Sequence, residues 1–470
     1  MFSEIIKNYS DSCCLENDQG RKCYYGDVRD LENVLRNSTT ERSLIFCLTS
    51  NTIESIAGYV AIVASRSVPF LVNSSINISL LEKLLNQYQP DFIWAPSSYI
   101  ARLKCSTIVL NWDGYSLIQY TTTPTEVHPD LAVLLSTSGS TGSPKLVRIS
   151  YANLQANASS IASYLDISKD ERPITSLPPD YSYGLSVLNS HFLKGATVLC
   201  TEASVVQGEF WALVKNGLAT SIAGVPYTYE MLRRLRFFRM DLPSLKTLTQ
   251  AGGHMKAEYV REFWDYARKN NKKFVVMYGQ TEATARMSYL PPDAPEDKIG
   301  SIGVPIPDGK FSLVDDNDCS IFSPHEAGNL IYEGPNVFMG YATKKSELML
   351  GDLQLGRLDT GDIAYRDSDG YYFIKGRKNR FVKIYGNRIN LDEVQAMANE
   401  VDPGSACVGI EDLISVYVLD RTVCDAVKAH LSNKMGLNPR AFDVIVVDEI
   451  PKNSAGKILY MELSNRRVST

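Results

Sequence analysis

Residues 136–145 read STSGSTGSPK, six hydroxyl side chains and two glycines closed by Pro144 and Lys145. Hydroxyls and free backbone N–H groups can surround phosphate oxygens, glycine lets the chain approach a ligand closely, and lysine adds a point charge. Thr137, Ser138, Gly139, Ser140, Thr141, Gly142 and Lys145 are therefore candidate phosphate-binding residues. A solvated Ser/Gly linker has a similar composition, but linkers are seldom entered from an apolar strand such as LAVLL (131–135) or closed by proline and lysine.

The flanking residues decide which kind of phosphate loop this is. A Walker A loop places four residues between its glycine and a Gly-Lys pair and then starts a helix facing the phosphates. Here Gly139 and Gly142 are too close together and Pro144 precedes Lys145. The chain resumes as the alternating stretch LVRI (146–149), followed by a helix capped near Ser150. The loop is expected to join two strands and to grip phosphate with hydroxyls and amides, without a helix dipole behind it.

A second constellation, Tyr278-Gly279-Gln280-Thr281-Glu282, directly follows the apolar stretch FVVM (274–277). Strand ends are where an α/β protein places ligand chemistry. Tyr278 offers a ring face to a base, Thr281 a hydroxyl to a phosphate, and Glu282 a carboxylate to Mg²⁺, a hard cation that prefers carboxylate and phosphate oxygens. Taken alone, a threonine followed by a glutamate is also an ordinary helix-start pattern.

Together these motifs resemble the signature segments of the adenylate-forming superfamily: acyl-CoA synthetases, nonribosomal-peptide adenylation domains and beetle luciferases. Four further matches follow in the same order. Gly252-Gly253-His254 resembles the small-residue turn beside adenine and the acyl carbonyl. Thr360-Gly361-Asp362 resembles the segment whose aspartate accepts hydrogen bonds from both ribose hydroxyls. Gly376-Arg377 resembles the segment whose arginine contacts that ribose, and PKNSAGK (451–457) the loop carrying the catalytic lysine, here Lys457.

The resemblance implies ATP-dependent activation of a carboxylic acid to acyl-AMP with release of pyrophosphate, then transfer to a thiol, with CoA the default acceptor. Catalytic roles fall on Lys457, Thr281 and Glu282, and Glu282 is the Mg²⁺ ligand. ATP-binding roles extend to Gly252, Gly253, Tyr278, Gly279, Asp362 and Arg377. The family also implies a lid that rotates about a hinge just after the Gly-Arg pair, removing the lysine and admitting the thiol. The matching hinge residue is Asn379, where Asp or Lys is usual. Two alternatives stand beside this reading. One is a stand-alone adenylation protein loading an acyl or amino acid onto the phosphopantetheine thiol of a separate carrier protein. The other is a non-catalytic nucleotide-binding module of the same fold, against which the retained Lys457, Glu282 and Asp362 count.

By the same resemblance, YSYGLSV (181–187) lines the acyl pocket, with Gly224, Tyr227, His254 and Met287 as further wall residues. Tyr181 stands where many acyl-CoA synthetases carry a histidine. Gly184 stands where amino-acid-activating relatives carry an aspartate that pairs with the substrate ammonium. A buried ammonium without a counter-charge is costly, so Gly184 argues against an α-amino acid.

The elements that must position these residues follow from periodicity. Strands at 44–48, 68–72 and 92–95 alternate with helices at 52–64, capped by Asn51, and 80–88. The same rhythm returns with strands at 196–200, 221–224 and 274–277, which implies parallel sheets covered by helices. From Gly300 short strands and turns suggest a small β-barrel-like part. The tail reads as a small α+β domain, with helices at 390–401 and 423–434 and strands at 406–410, 415–419 and 444–447. The expected fold class is α/β: a large AMP-binding domain (1–378) of layered αβ subdomains and a small mobile C-terminal lid (379–470).

Bulk properties agree. The 470 residues exceed one ordinary core, 44% are apolar, and the net charge of −5 argues against nucleic-acid binding. Nine scattered cysteines without a CxxC pair indicate neither disulfide framework nor zinc site. The stretch 56–72 is interrupted by Arg66 and Pro69, so no membrane span is expected, and the N-terminal residues lack a secretory pattern. A cytoplasmic location is the corresponding expectation.

Overall fold

The computed structural model describes residues 2–102, 107–136, 145–385, 387–410, 412–452 and 458–468. The fold is mixed α/β, and the chain divides into two compact units. One is formed by residues 1–137, 143–311 and 332–358, the other chiefly by 312–331 and 359–470.

The first unit contains two large sheets. In the eight-stranded sheet, Leu44–Thr49 pairs in parallel with Val68–Asn73 and Phe92–Pro96, and Val68–Asn73 with Leu131–Ser136. Every residue of Leu44–Thr49 is buried, as a parallel strand covered on both faces requires. The covering helix Ile53–Ala64 buries every residue but Glu54. Its N-cap is Thr52, whose hydroxyl accepts a hydrogen bond from the Ser55 amide at 3.4 Å. Asn51, expected as the cap, instead leaves its buried Oδ1 without a partner among the described residues.

The nine-stranded sheet runs in spatial order Val304–Pro305, Ser288–Tyr289, Lys273–Tyr278, Thr247–Gln250, Ser221–Gly224, Pro173–Ile174, Val198–Cys200, Cys13–Asn17, Lys22–Tyr24. The strands from Lys273–Tyr278 through Cys13–Asn17 are parallel. Three of them, Cys13–Asn17, Pro173–Ile174 and Thr247–Gln250, escaped the periodicity reading. Pro173–Ile174 is too short to alternate, and Thr247–Gln250 (TLTQ) has three polar residues in four although its last three residues are buried. Helix Tyr151–Tyr164 begins with a reciprocal capping box: Ser150 Oγ accepts from the Asn153 amide at 3.0 Å, and Asn153 Oδ1 from the Ser150 amide at 2.9 Å.

In the second unit the short-strand region forms an open five-stranded sheet, not a closed barrel, in the order Ser320–Ile321, Lys310–Val314, Ala327–Glu333, Arg357–Arg366, Tyr372–Arg377. The tail is α+β. A hairpin, Phe381–Ile384 with Asn387–Asn390, leads into helix Leu391–Val401. A three-stranded sheet follows, Ala406–Ile410, Leu413–Val418 and Phe442–Val446, with helices Cys424–Met435 and Tyr460–Val468. Leu391, Val394, Cys407, Val416, Leu431 and Phe442 share its core. No described helix is long and apolar enough to cross a membrane.

Candidate active site

The hydroxyl-rich segment does lie between two strands: Leu131–Ser136 and Leu146–Ser150 pair antiparallel, with Ser136 opposite Leu146. Thr137, Ser138, Gly139, Ser140, Thr141 and Gly142 lie outside the described residues. Lys145, at the base of the returning strand, is exposed, and its Nζ lies 5.6 Å from the centre of the Tyr341 ring. Tyr341 is delivered by the short strand Gly340–Ala342, which pairs antiparallel with Leu146–Ser150. Its hydroxyl donates to Glu282 Oε1 at 2.7 Å. Burial and the neighbouring carboxylate push the Tyr341 hydroxyl well above its ordinary range, so it remains a proton donor. Lys145, Tyr341 and Glu282 thus form one cluster.

The turn carrying Thr281 and Glu282 follows strand Lys273–Tyr278 at its carboxyl end. Glycine at 279 is obligatory, since a Cβ there would lie 1.6 Å from the Ala285 carbonyl oxygen. Thr281–Ala283 is a single 3₁₀ turn, after which Thr284 (φ 54°) and Ala285 (φ 103°) both take positive φ. Such backbone persists only where its surroundings over-determine it. Asn336 does so here: its Nδ2 donates to the carbonyls of Ala283 (2.7 Å) and Arg286 (3.0 Å), while its backbone carbonyl accepts from Thr284 Oγ1 at 2.7 Å. Asn157 Nδ2 donates to the Arg286 carbonyl at 3.0 Å, and the Phe338 amide to the Glu282 carbonyl at 2.9 Å. Thr281 Oγ1 lies 3.0 Å from Ser182 Oγ, which ties the turn to helix Ser182–Phe192. The Tyr278 ring lies 6.3 Å from that of Phe311.

Of the expected pocket residues, Tyr181 meets the glycine turn directly. Gly252 has φ +85°, and a Cβ on it would stand 2.4 Å from the Tyr181 hydroxyl. Gly253 beside it is exposed. Glycine at 184 has a packing reason, because a Cβ there would lie 2.4 Å from the Pro178 carbonyl oxygen. Gly224 and Met287 are buried, whereas Tyr227 is 61% exposed and His254 is also at the surface. A cavity borders Gly184, Val187 and Ala223, and an adjoining one is lined by Val187, Ala223, Thr249, His191 and Arg286. Sequence reasoning missed Arg286 and Tyr341, and reached Tyr183 only as one residue of the segment 181–187. For Arg286 a signal existed, a lone charge in ARMSYL (285–290), a stretch otherwise suited to burial.

In the second unit, Asp362 and Arg377 face each other across an antiparallel strand pair. Arg377 Nε stands 3.5 Å from Asp362 Oδ1; the Asp362 side chain is 5% exposed and that of Arg377 60%. Thr360 Oγ1 accepts from the Asp362 amide at 3.1 Å and donates to the Leu330 carbonyl at 2.7 Å. Asn379 falls in the 3₁₀ turn Lys378–Arg380. Lys457 lies outside the described residues, but Lys452 and Ile458 on either side of its segment form an antiparallel bridge.

Among the described residues no group of three His, Cys, Asp or Glu side chains is arranged to hold a metal. A single carboxylate such as that of Glu282 fits Mg²⁺, which is commonly bound through one or two carboxylates plus substrate phosphates and waters.

Comparison with known proteins agrees with this architecture. The family model for AMP-binding enzymes matches residues 23–342. Feruloyl-CoA synthase of Amycolatopsis sp. is 29% identical over 350 residues, covering 72% of this chain and 70% of that one. 2-Succinylbenzoate–CoA ligase of Oceanobacillus iheyensis is 23% identical over 433 residues, covering 88% and 87%. The crystal structure of ATP-bound MatB from Rhodopseudomonas palustris superposes with a TM-score of 0.79 at 21% identity, over 99% of this chain and 98% of that one. The chain belongs to the AMP-binding enzyme family.

Proposed function

We propose that this chain joins a carboxylic acid to ATP, giving acyl-AMP and pyrophosphate, and then transfers the acyl group to the thiol of CoA. A carboxylate is a poor acyl donor because its leaving oxygen is too basic. Attack by the carboxylate oxygen on the ATP α-phosphorus breaks the bond to pyrophosphate and replaces that oxygen's leaving tendency with that of AMP. Two anions must meet, so the protein's work is positioning and charge neutralisation. The observation that carries the reading is the Lys145–Tyr341–Glu282 cluster, which joins the strand returning from the hydroxyl-rich segment to the turn at the carboxyl end of strand Lys273–Tyr278.

In this reading residues 137–142 and Lys145 hold the β- and γ-phosphates and Thr281 the α-phosphate. Glu282 is the residue that would hold Mg²⁺, which when bound neutralises phosphate charge. Tyr341 keeps the Glu282 carboxylate aimed. Asp362 and Arg377 bind the ribose, Tyr278 stacks on adenine beside Gly252, Gly253 and Gly279, and Lys457 bridges the acid and the α-phosphate. Residues 379–470 act as the lid, with Asn379 as its hinge. Tyr181, Gly184, Gly224, Tyr227, His254 and Met287 border the acyl group.

ATP–pyrophosphate exchange across fatty, aryl, dicarboxylic and amino acids tests the first half. Exchange with a non-amino acid is expected, and exchange driven only by amino acids would refute the reading drawn from Gly184. Incubation with CoA or with a phosphopantetheinylated carrier protein then tests the acceptor, with thioester formation expected on CoA.

A further inference from the structure

Arg286 is 2% exposed and has no acidic partner among the described residues. Its Nε donates to Ser186 Oγ at 3.1 Å and its Nη1 to the Tyr164 hydroxyl at 3.1 Å, with Met277 Sδ at 3.2 Å from the same nitrogen. The guanidinium carbon lies 5.1 Å from the centre of the Tyr183 ring. Both hydroxyls have other acceptors for their own protons: Ser186 Oγ donates to the Tyr183 carbonyl at 2.7 Å, and the Tyr164 hydroxyl lies 3.1 Å from Met277 Sδ. All these neighbours are neutral, and Nη2 donates no hydrogen bond within the described structure. Burying a cation without a counter-charge is expensive, and natural cores seldom retain one without a use.

The residue lines a cavity whose other walls are largely apolar, among them Leu165, Ile167, Ile174, Val187 and Ala223. Two other titratable groups face this cavity. Glu171 is engaged elsewhere: its Oε2 accepts from Thr220 Oγ1, and its Oε1 lies 3.3 Å from Lys246 Nζ. His191 is held neutral by burial, which pushes its pKa down to about 4. The guanidinium is therefore the one available charge on this wall. Helix Ser182–Phe192 sets its distance from the reacting end: Ser182 touches Thr281 and Ser186 touches Arg286, four residues apart, or roughly 6 Å at 1.5 Å per residue.

We infer that Arg286 is a specificity residue at the inner end of the acyl pocket, and that the acid activated here is a compact dicarboxylic acid whose second carboxylate pairs with the Arg286 guanidinium. The planar fork of arginine matches a carboxylate, and its free Nη2 edge supplies the donors. This rests on the acid-activating reading above and names the substrate class for that site.

The test is ATP–pyrophosphate exchange with full-length protein, comparing glutarate, adipate and terephthalate each with its monomethyl ester, which keeps the shape and removes the distal charge. At least one diacid should exceed its ester tenfold or more in kcat/KM. Arg286→Met should abolish that preference, and Arg286→Lys should retain part of it. A preference lost in Arg286→Met while exchange with the ester persists separates specificity from folding, with melting curves of each variant alongside. If Arg286→Met does not fold, the wild-type ratio alone decides. Exchange that runs equally well or better with the esters would overturn this inference and leave acid activation standing. No exchange with any acid would overturn both.

Discussion

Replacing Tyr341 by phenylalanine removes one oxygen and nothing else. The ring stays available to Lys145 and to Phe338, whose ring lies 4.9 Å away. What disappears is the 2.7 Å hydrogen bond to Glu282 Oε1. Hydrogen bonds to charged groups contribute about 1.5–3 kcal/mol. With Tyr341 38% exposed, water takes up part of the loss, which puts the effect near the lower end, about 1.4 kcal/mol or tenfold. If Glu282 is the Mg²⁺ ligand and Tyr341 holds its rotamer, that tenfold should appear in the Mg²⁺ dependence of ATP–pyrophosphate exchange, with the melting temperature unchanged. The two changes should also be non-additive: in a Glu282→Gln background, Tyr341→Phe should add little, because the bond it breaks has already lost its charge. An unaltered Mg²⁺ dependence, or full additivity with Glu282→Gln, would refute this account of Tyr341.

Lys457→Ala should abolish acyl-AMP formation and leave thiolysis of supplied acyl-AMP largely intact; equal loss of both half-reactions would contradict a lid that withdraws this lysine. Gly279→Ala forces a Cβ to 1.6 Å from a backbone oxygen and should cost at least about 1–3 kcal/mol, read as a lowered chemical-denaturation midpoint. His191, buried against the Val187 carbonyl with Nδ1 at 2.8 Å, has its pKa lowered from 6.5 to about 4 by burial. Between these values the unfolded chain binds a proton that the folded chain does not, so stability is complete above pH 6.5 and falls as pH drops toward 4. The expected slope approaches about 1.4 kcal/mol per pH unit near pH 5. His191→Gln should flatten it in denaturation curves taken from pH 7 to 5, and an unchanged slope would count against His191 as its source.

The parts of the site that were legible in the sequence are those in which neighbours along the chain do the work. That two strands flank the hydroxyl-rich segment was readable from the apolar stretches on either side of it, and the structure pairs them with Ser136 opposite Leu146. Asn390 caps helix Leu391–Val401 because its side chain accepts from the Asp392 amide two residues on. Tyr341 and Glu282 are 59 residues apart, and Ser186 and Arg286 are 100 apart; no local pattern joins them. Strand Thr247–Gln250 was illegible for another reason: its threonines and glutamine are buried by their neighbours in the sheet, not by apolarity of their own. Tyr227 and His254 are exposed, which their order along the chain did not reveal.

Two carbonyls of the turn after Glu282, those of Ala283 and Arg286, accept from the side-chain amide of Asn336, whose backbone carbonyl receives the Thr284 hydroxyl. The Thr281–Glu282 turn is therefore ordered by the protein before any nucleotide arrives, and the entropy of fixing two positive-φ residues is spent during folding, not during binding. Loosening it should slow catalysis through a rarer competent geometry without removing any group that touches ATP. Asn336→Ala would then behave as a conformational tax on affinity, its loss shared by every acid the enzyme accepts.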